Sequence, residues 1–180
     1  MNSKTQNIII CGLFASITAV LSQISIPLPF TTVPLTMQIF AVALTGLILG
    51  SKKGFISILI YLLLGAIGVP VFAQMTAGLG ILMGPTGGFL LGCPFMAFVV
   101  GYVSEKSSSK IYTLLSMVLG LSIVYITGTI MFSVITKSTI QESILACVAP
   151  FVFVDLIKLF LATSIGISIS KRVNIGVKSC

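Results

Sequence analysis

Long apolar runs, separated by short gaps that hold nearly all of the charge, leave this chain few ways to fold. Six stretches are long enough, or nearly so, to cross a bilayer: about 7–26, 35–50, 54–72, 84–103, 111–135 and 141–170. A spanning helix needs about 20 mostly apolar residues. Hydrophobic residues make up 57% of the 180 and charged residues 7%. At a mean hydropathy of +1.21, a soluble domain of this size could not hide its apolar surface, so lipid is the expected solvent. The reading is an all-α integral membrane protein, a single membrane domain over residues 1–180 with six transmembrane helices. The second run is short and the last long, so tilt or a break is expected. The first run has no Ala-x-Ala cleavage site and reads as a retained span.

The basic residues give an orientation. Lys4, Lys52, Lys53, Lys106, Lys110, Lys171, Arg172 and Lys178 fall on one side of the six runs and Lys137 alone on the other. Eight against one sets both termini in the cytoplasm. The same scatter argues against nucleic acid as a partner, despite a net charge of +7, because no basic stripe forms.

One pair of charges breaks the pattern. Asp155 and Lys158 stand inside the last run, Pro150-Phe-Val-Phe-Val-Asp155-Leu-Ile-Lys158-Leu-Phe-Leu-Ala162. A charge at the centre of a membrane helix costs about 2.5–3.5 kcal/mol or more, so such residues face a bundle interior or a wet cavity. Three positions apart, the two share a helix face. They form either a buried ion pair or a polar anchor for a ligand.

Two uncharged connections on the outward side are rich in Pro, Gly and Thr: Ser25-Ile-Pro-Leu-Pro-Phe30-Thr-Thr-Val-Pro34, and Gln74-Met-Thr-Ala-Gly78 through Gly84-Pro-Thr-Gly-Gly88. Irregular backbone at membrane depth is tolerated only where protein covers it or a cavity adjoins it. Such segments are lids or stiffened turns. Small residues four apart, at Gly84, Gly88 and Gly92, Gly46 and Gly50, and Ala162 and Gly166, mark close helix packing. Ala15 and Ala19 have the same spacing and are the candidates for an external contact.

Catalytic machinery is sparse. The chain has no Walker A sequence, GxSxG or HExxH, and it contains three acids, Glu105, Glu142 and Asp155. Glu105 and Glu142 fall near helix ends and read as solvated. Cys11, Cys93, Cys147 and Cys180 show no CxxC spacing and there is no histidine, so no metal site is expected; the first three read as small apolar helix residues. No inverted repeat suggests a self-sufficient transporter. What remains is a membrane protein with an outward pocket and no engine of its own.

Three segments resemble a known family: Val33-Pro-Leu-Thr-Met-Gln38 with Leu49-Gly-Ser-Lys-Lys-Gly54, Tyr61-Leu-Leu-Leu-Gly65-Ala-Ile-Gly68-Val-Pro-Val-Phe72 leading to Gly84-Pro-Thr-Gly-Gly-Phe-Leu90, and the Asp155-x-x-Lys158 pair. They resemble BioY, the biotin-specific S component of energy-coupling factor (ECF) transporters. The likeness covers most of the chain and is weakest over 104–145. The family often has Tyr where Phe89 stands and Gly-Gly where Ala77-Gly78 stands.

The resemblance implies a cell-membrane subunit that binds biotin from outside and docks on a membrane coupling subunit with two ATPases. It implies no cofactor, with ATP used by the partners. Asp155 would accept a ureido N–H and Lys158 would donate to the ureido oxygen, or neutralise the valerate carboxylate. Gln74, Thr76 and Gly78, with Phe30, Thr31 and Thr32, would close over the ligand, while Gly84, Thr86 and Gly87 would let backbone approach it. The first helix of S components often carries an Ala-x-x-x-Ala contact with the coupling protein, which Ala15 and Ala19 match. A solitary vitamin transporter and an intramembrane enzyme using Asp155 and Lys158 are the alternatives.

Overall fold

The computed structural model describes residues 3–29, 31, 33–107 and 109–172. Phe30 and Thr32 lie outside the described residues, as does the tail from 173. Among the described residues eight α-helices follow in order: α1 (Ser3–Gln23), α2 (Gln38–Leu49), α3 (Ser51–Ala66), α4 (Leu79–Leu82), α5 (Gly87–Lys106), α6 (Lys110–Thr136), α7 (Ile140–Cys147) and α8 (Ala149–Arg172). Two short strands, β1 (Ser25–Ile26) and β2 (Leu35–Thr36), pair antiparallel across the first connection, with Ser25 opposite Thr36.

Four helices are long and apolar enough to cross a membrane: Lys4–Gln23, Gly87–Lys106, Lys110–Thr136 and Ala149–Ser170. Gln38–Leu49 is apolar but short. The bundle is built round α5, 56% of whose most apolar window is buried against 22–33% for the other three. Glycine makes that position possible. A Cβ on Gly46 would stand 2.5 Å from the Ala97 carbonyl oxygen, and one on Gly92 would meet Thr127 Oγ1 at 2.5 Å. The small-residue spacings in α2 and α5 are therefore internal seams, as expected in lipid.

Gly50 links α2 to α3 with φ +81°, a left-handed conformation that suits a residue without Cβ. Its N–H donates to the Gly46 carbonyl at 3.0 Å.

Three boundaries differ from the apolar runs. The third helix ends at Ala66, six residues early, because Gly68-Val-Pro70 cannot continue it. The fourth begins at Gly87, after a separate turn formed by α4. The last run breaks at Val148 into α7 and α8. Pro150 has no N–H and its ring would clash with the Ala146 carbonyl in a continuous helix, so it occupies the first turn of a new one.

Ala15 is also corrected. It is 0% exposed, inside the main hydrophobic core, and Ala19 packs half-buried against that core. Cys11, Ala15, Thr18 and Ser22 form one inward stripe. Ser57 Oγ of α3 donates to the Cys11 carbonyl (2.9 Å), and Ser22 shares a hydrogen bond with the Tyr61 hydroxyl (3.0 Å). Close seating of α1 on α3 is what requires the small residues. The open side of α1 carries Gly12, with nothing within 4 Å of where its Cβ would stand, and Ser16.

Candidate functional site

Asp155 and Lys158 lie about two turns into α8, turned away from lipid. Lys158 Nζ is 2.8 Å from Asp155 Oδ1, and the two residues are 6% and 4% exposed. This is the only ion pair among the described residues. Two further bonds hold it. Tyr125 Oη, from α6, donates to Asp155 Oδ2 at 2.7 Å, and Lys158 Nζ donates to the Thr36 carbonyl of β2 at 2.7 Å. The pair thus joins α6, α8 and the first connection.

The four groups line a cavity of about 210 Å³. Ile39, Phe89, Leu90, Val124 and Phe151 give it apolar walls; Gln38, Gln74, Thr76 and Thr86 add polar atoms. Its lining comes from β2 and the start of α2, the segment after α3, α4, the start of α5, the second half of α6, the end of α7 and the start of α8. Lys4, Lys52, Lys53, Lys106 and Lys110 stand at the other ends of their helices. The pocket and the basic residues therefore occupy opposite ends of the bundle.

Chemically, the pair is engaged but not saturated. An ammonium has three donors, and two are used; an ionised carboxylate has about four acceptor sites. One donor and further lone pairs remain at a cavity wall, where charge-assisted bonds are strongest. A ligand with a carbonyl oxygen beside an N–H would match.

The residues expected from the sequence divide into three groups. Asp155, Lys158, Gln74, Thr76 and Thr86 meet at the cavity. Thr31, Gly78, Gly84 and Gly87 are not among its lining residues. The missing Cβ of Gly87 admits the Leu82 carbonyl, so α4 folds back on the start of α5, and that of Gly84 admits the Gly80 carbonyl in the turn that ends α4. Gly78 has φ +99°, and its N–H donates to the Gly65 carbonyl at 2.7 Å, closing the segment after α3. Phe30 and Thr32 form the third group, outside the described residues.

Tyr125 and Gln38 escaped the sequence reading. A Tyr in an apolar helix resembles packing, and its partner is 30 positions away. Gln38 is 8% exposed and its Nε2 donates to the Cys93 sulfur at 3.8 Å, a weak acceptor that holds the amide loosely beside the cavity. A buried amide at a helix start next to Pro34-Leu-Thr was the available signal. Cys93 and Cys147 are buried helix residues, and both line the cavity.

Apolar helices enclosing a small, mostly apolar cavity around a buried ion pair define the class, a helical membrane protein with a ligand-sized pocket. Comparison with known proteins narrows it. The chain belongs to the BioY family, whose profile it matches over residues 1–175. A biotin transporter BioY of Thermotoga maritima is 40% identical over 166 residues, covering 92% of this chain and 96% of that protein. Biotin transporter BioY2 of Lactococcus lactis is 34% identical over 174 residues, covering 96% and 94%. The crystal structure of the S-component for biotin from an ECF-type ABC transporter superposes with a TM-score of 0.90 at 26% identity, covering 98% of this chain and 97% of that one.

Proposed function

We propose that this chain is the biotin-binding S component of an ECF-type transporter. The observation that carries the reading is the unsaturated Asp155–Lys158 pair at the wall of an otherwise apolar cavity, in a chain whose relatives are biotin transporters. Biotin presents two ureido N–H donors and one carbonyl acceptor on an apolar fused ring. Asp155 accepts a ureido N–H, and the remaining Lys158 donor meets the ureido oxygen. Gln74, Thr76 and Thr86 contact the ligand from the mouth, and the apolar walls take the rings.

In this reading the whole chain is one membrane domain of the plasma membrane. α1, α2, α3, α5, α6 and α8 supply six spans, with α2 and α3 tilted or seated where the bilayer thins. Basic residues at the end opposite the pocket put both termini in the cytoplasm and open the pocket outward. A membrane coupling subunit and two ATPases supply the energy, and biotin leaves unchanged. With Ala15 enclosed, the docking face of α1 is its Gly12 and Ser16 side.

Two experiments test this. Labelled biotin bound to the purified chain in detergent is expected to be displaced by unlabelled biotin and not by thiamine or riboflavin; equal displacement by all three contradicts the assignment. Uptake by membranes lacking every coupling subunit and ATPase is expected to be absent, and uptake there identifies a solitary transporter.

A further inference from the structure

The last turn of α1 reaches the pocket without lining it. Gln23 Nε2 donates to the Phe72 carbonyl at 2.9 Å, with longer contacts to the carbonyls of Pro70 (3.4 Å) and Ala19 (3.5 Å). Its Oε1 accepts the Met75 N–H at 3.0 Å. One amide thus clasps both ends of the Phe72–Met75 segment.

The clasped backbone is unusual. Among the described residues three non-glycine positions have positive φ, and two of them, Gln74 (+58°) and Met75 (+57°), are consecutive. Side chains with a Cβ visit this left-handed region rarely, and where they do the surroundings over-determine it, most often at functional sites. The surroundings here are specific. Phe72 N–H donates to the Thr76 carbonyl (3.1 Å), and Thr76 Oγ1 donates to the Ala73 carbonyl (2.8 Å). The Phe72 ring is 1% exposed, occupies the space left by the missing Cβ of Gly65, and meets Tyr61 edge-on at 5.6 Å. Tyr61 is in turn bonded to Ser22, the neighbour of Gln23. Phe72, Ala73, Gln74 and Thr76 all line the cavity, whereas Met75 does not and is 69% exposed.

We propose that Gln23 is a positioning residue whose amide holds this left-handed turn, so that retention of the ligand depends on the seating of α1 against the segment carrying Gln74 and Thr76. This rests on the reading of the cavity as the biotin site. It implies a mechanical link. A partner that shifts the end of α1 loosens the turn at the mouth of the pocket, with no contact to the ligand itself.

Gln23→Leu keeps the bulk of the side chain and removes all of its hydrogen bonds. Biotin affinity is expected to fall about tenfold, chiefly through faster dissociation, as when one well-placed bond is lost. Met75→Asn introduces a residue that tolerates the left-handed region, at a position whose side chain does not touch the cavity. Added to Gln23→Leu, it is expected to recover at least half of the lost affinity on a logarithmic scale. A merely structural role of Gln23 in α1 packing would give no such rescue. Hydrogen–deuterium exchange of a peptide spanning 70–78, without ligand, is expected to be faster in Gln23→Leu than in the parent. Parent-like affinity in Gln23→Leu, no rescue by Met75→Asn in a folded double variant, or unchanged exchange each overturns the proposal. Faster exchange in a chain that binds no biotin supports the clasp and overturns the biotin reading alone.

Discussion

Each end of the bundle holds a carboxylate bonded across helices, and the two are used differently. At the basic end, Glu105 of α5 accepts the Ser51 N–H at 2.7 Å and the Ser51 hydroxyl at 3.0 Å from both oxygens, satisfying an orphan amide in the first turn of α3. Glu105 is exposed, as its sequence position suggests, and it also caps α3. Glycine brings the helices together there, Gly101 leaving no room for a Cβ against Gly50. At the other end, Asp155 is bonded to Lys158 and Tyr125 beside a cavity, with capacity left over. A carboxylate spent on the donors of a neighbouring helix start ties helices together. One left at the wall of a pocket is available to a ligand.

The strongest way to break this contrast is at Lys158. Lys158→Ala removes the charged donor and leaves Asp155 as an uncompensated buried carboxylate, a cost of about 3–5 kcal/mol. Biotin affinity is expected to fall roughly 100-fold or more, while membrane insertion persists, as titration calorimetry and fractionation would report. Tyr125→Phe removes one bond to a charged acceptor, in the range of about 1.5–3 kcal/mol. An affinity loss of roughly tenfold is expected, and no additional loss when it is combined with Asp155→Asn.

Glu105→Ala sharpens the contrast from the other side. Loss of the cap is expected to cost about 1 kcal/mol of stability and to leave biotin affinity within about twofold, read as a lower thermal midpoint with an unchanged binding curve. A large loss of affinity would mean that the two ends are coupled.

The smallest effect concerns Glu142, at the exposed start of α7. Its carboxylate accepts the Thr139 N–H at 2.9 Å in a capping box, which holds its pKa below the usual 4.5. A carboxyl depressed in the folded state stabilises fully above its unfolded value and loses that contribution as pH falls through the lowered one. The thermal midpoint of the parent is therefore expected to exceed that of Glu142→Gln above about pH 5, and the gap to close on further acidification.

Much of this was legible because lipid imposes a simple rule. Apolar runs mark helices, and a charge within one marks a site, so α1, α5, α6 and the Asp155–Lys158 pair could be read directly. Breaks were harder. Whether Pro150 bends a helix or starts a new one depends on what receives the Ala146 carbonyl, and a run of apolar residues does not encode that. Glycines were ambiguous for a related reason: Gly84 and Gly87 approach α4 backbone as closely as they might have approached a ligand. Ala15 and Ala19 looked free because Ser57 and Tyr61, which draw α1 onto α3, are far away in the chain. Tyr125 and Gln23 were hidden similarly, since a polar residue in an apolar helix acquires meaning only when its partner is brought opposite.

The central claim is that the buried pair anchors biotin. Equilibrium binding of labelled biotin to the purified parent chain and to Lys158→Ala, in the same detergent and with the fold of both verified by circular dichroism, tests it most directly. Saturable one-to-one binding by the parent, weakened roughly 100-fold or more in the variant, is the expected result. Parent-like affinity in a folded Lys158→Ala would contradict the account, because the pair would then be a structural tie like Glu105 and the ligand would be held elsewhere.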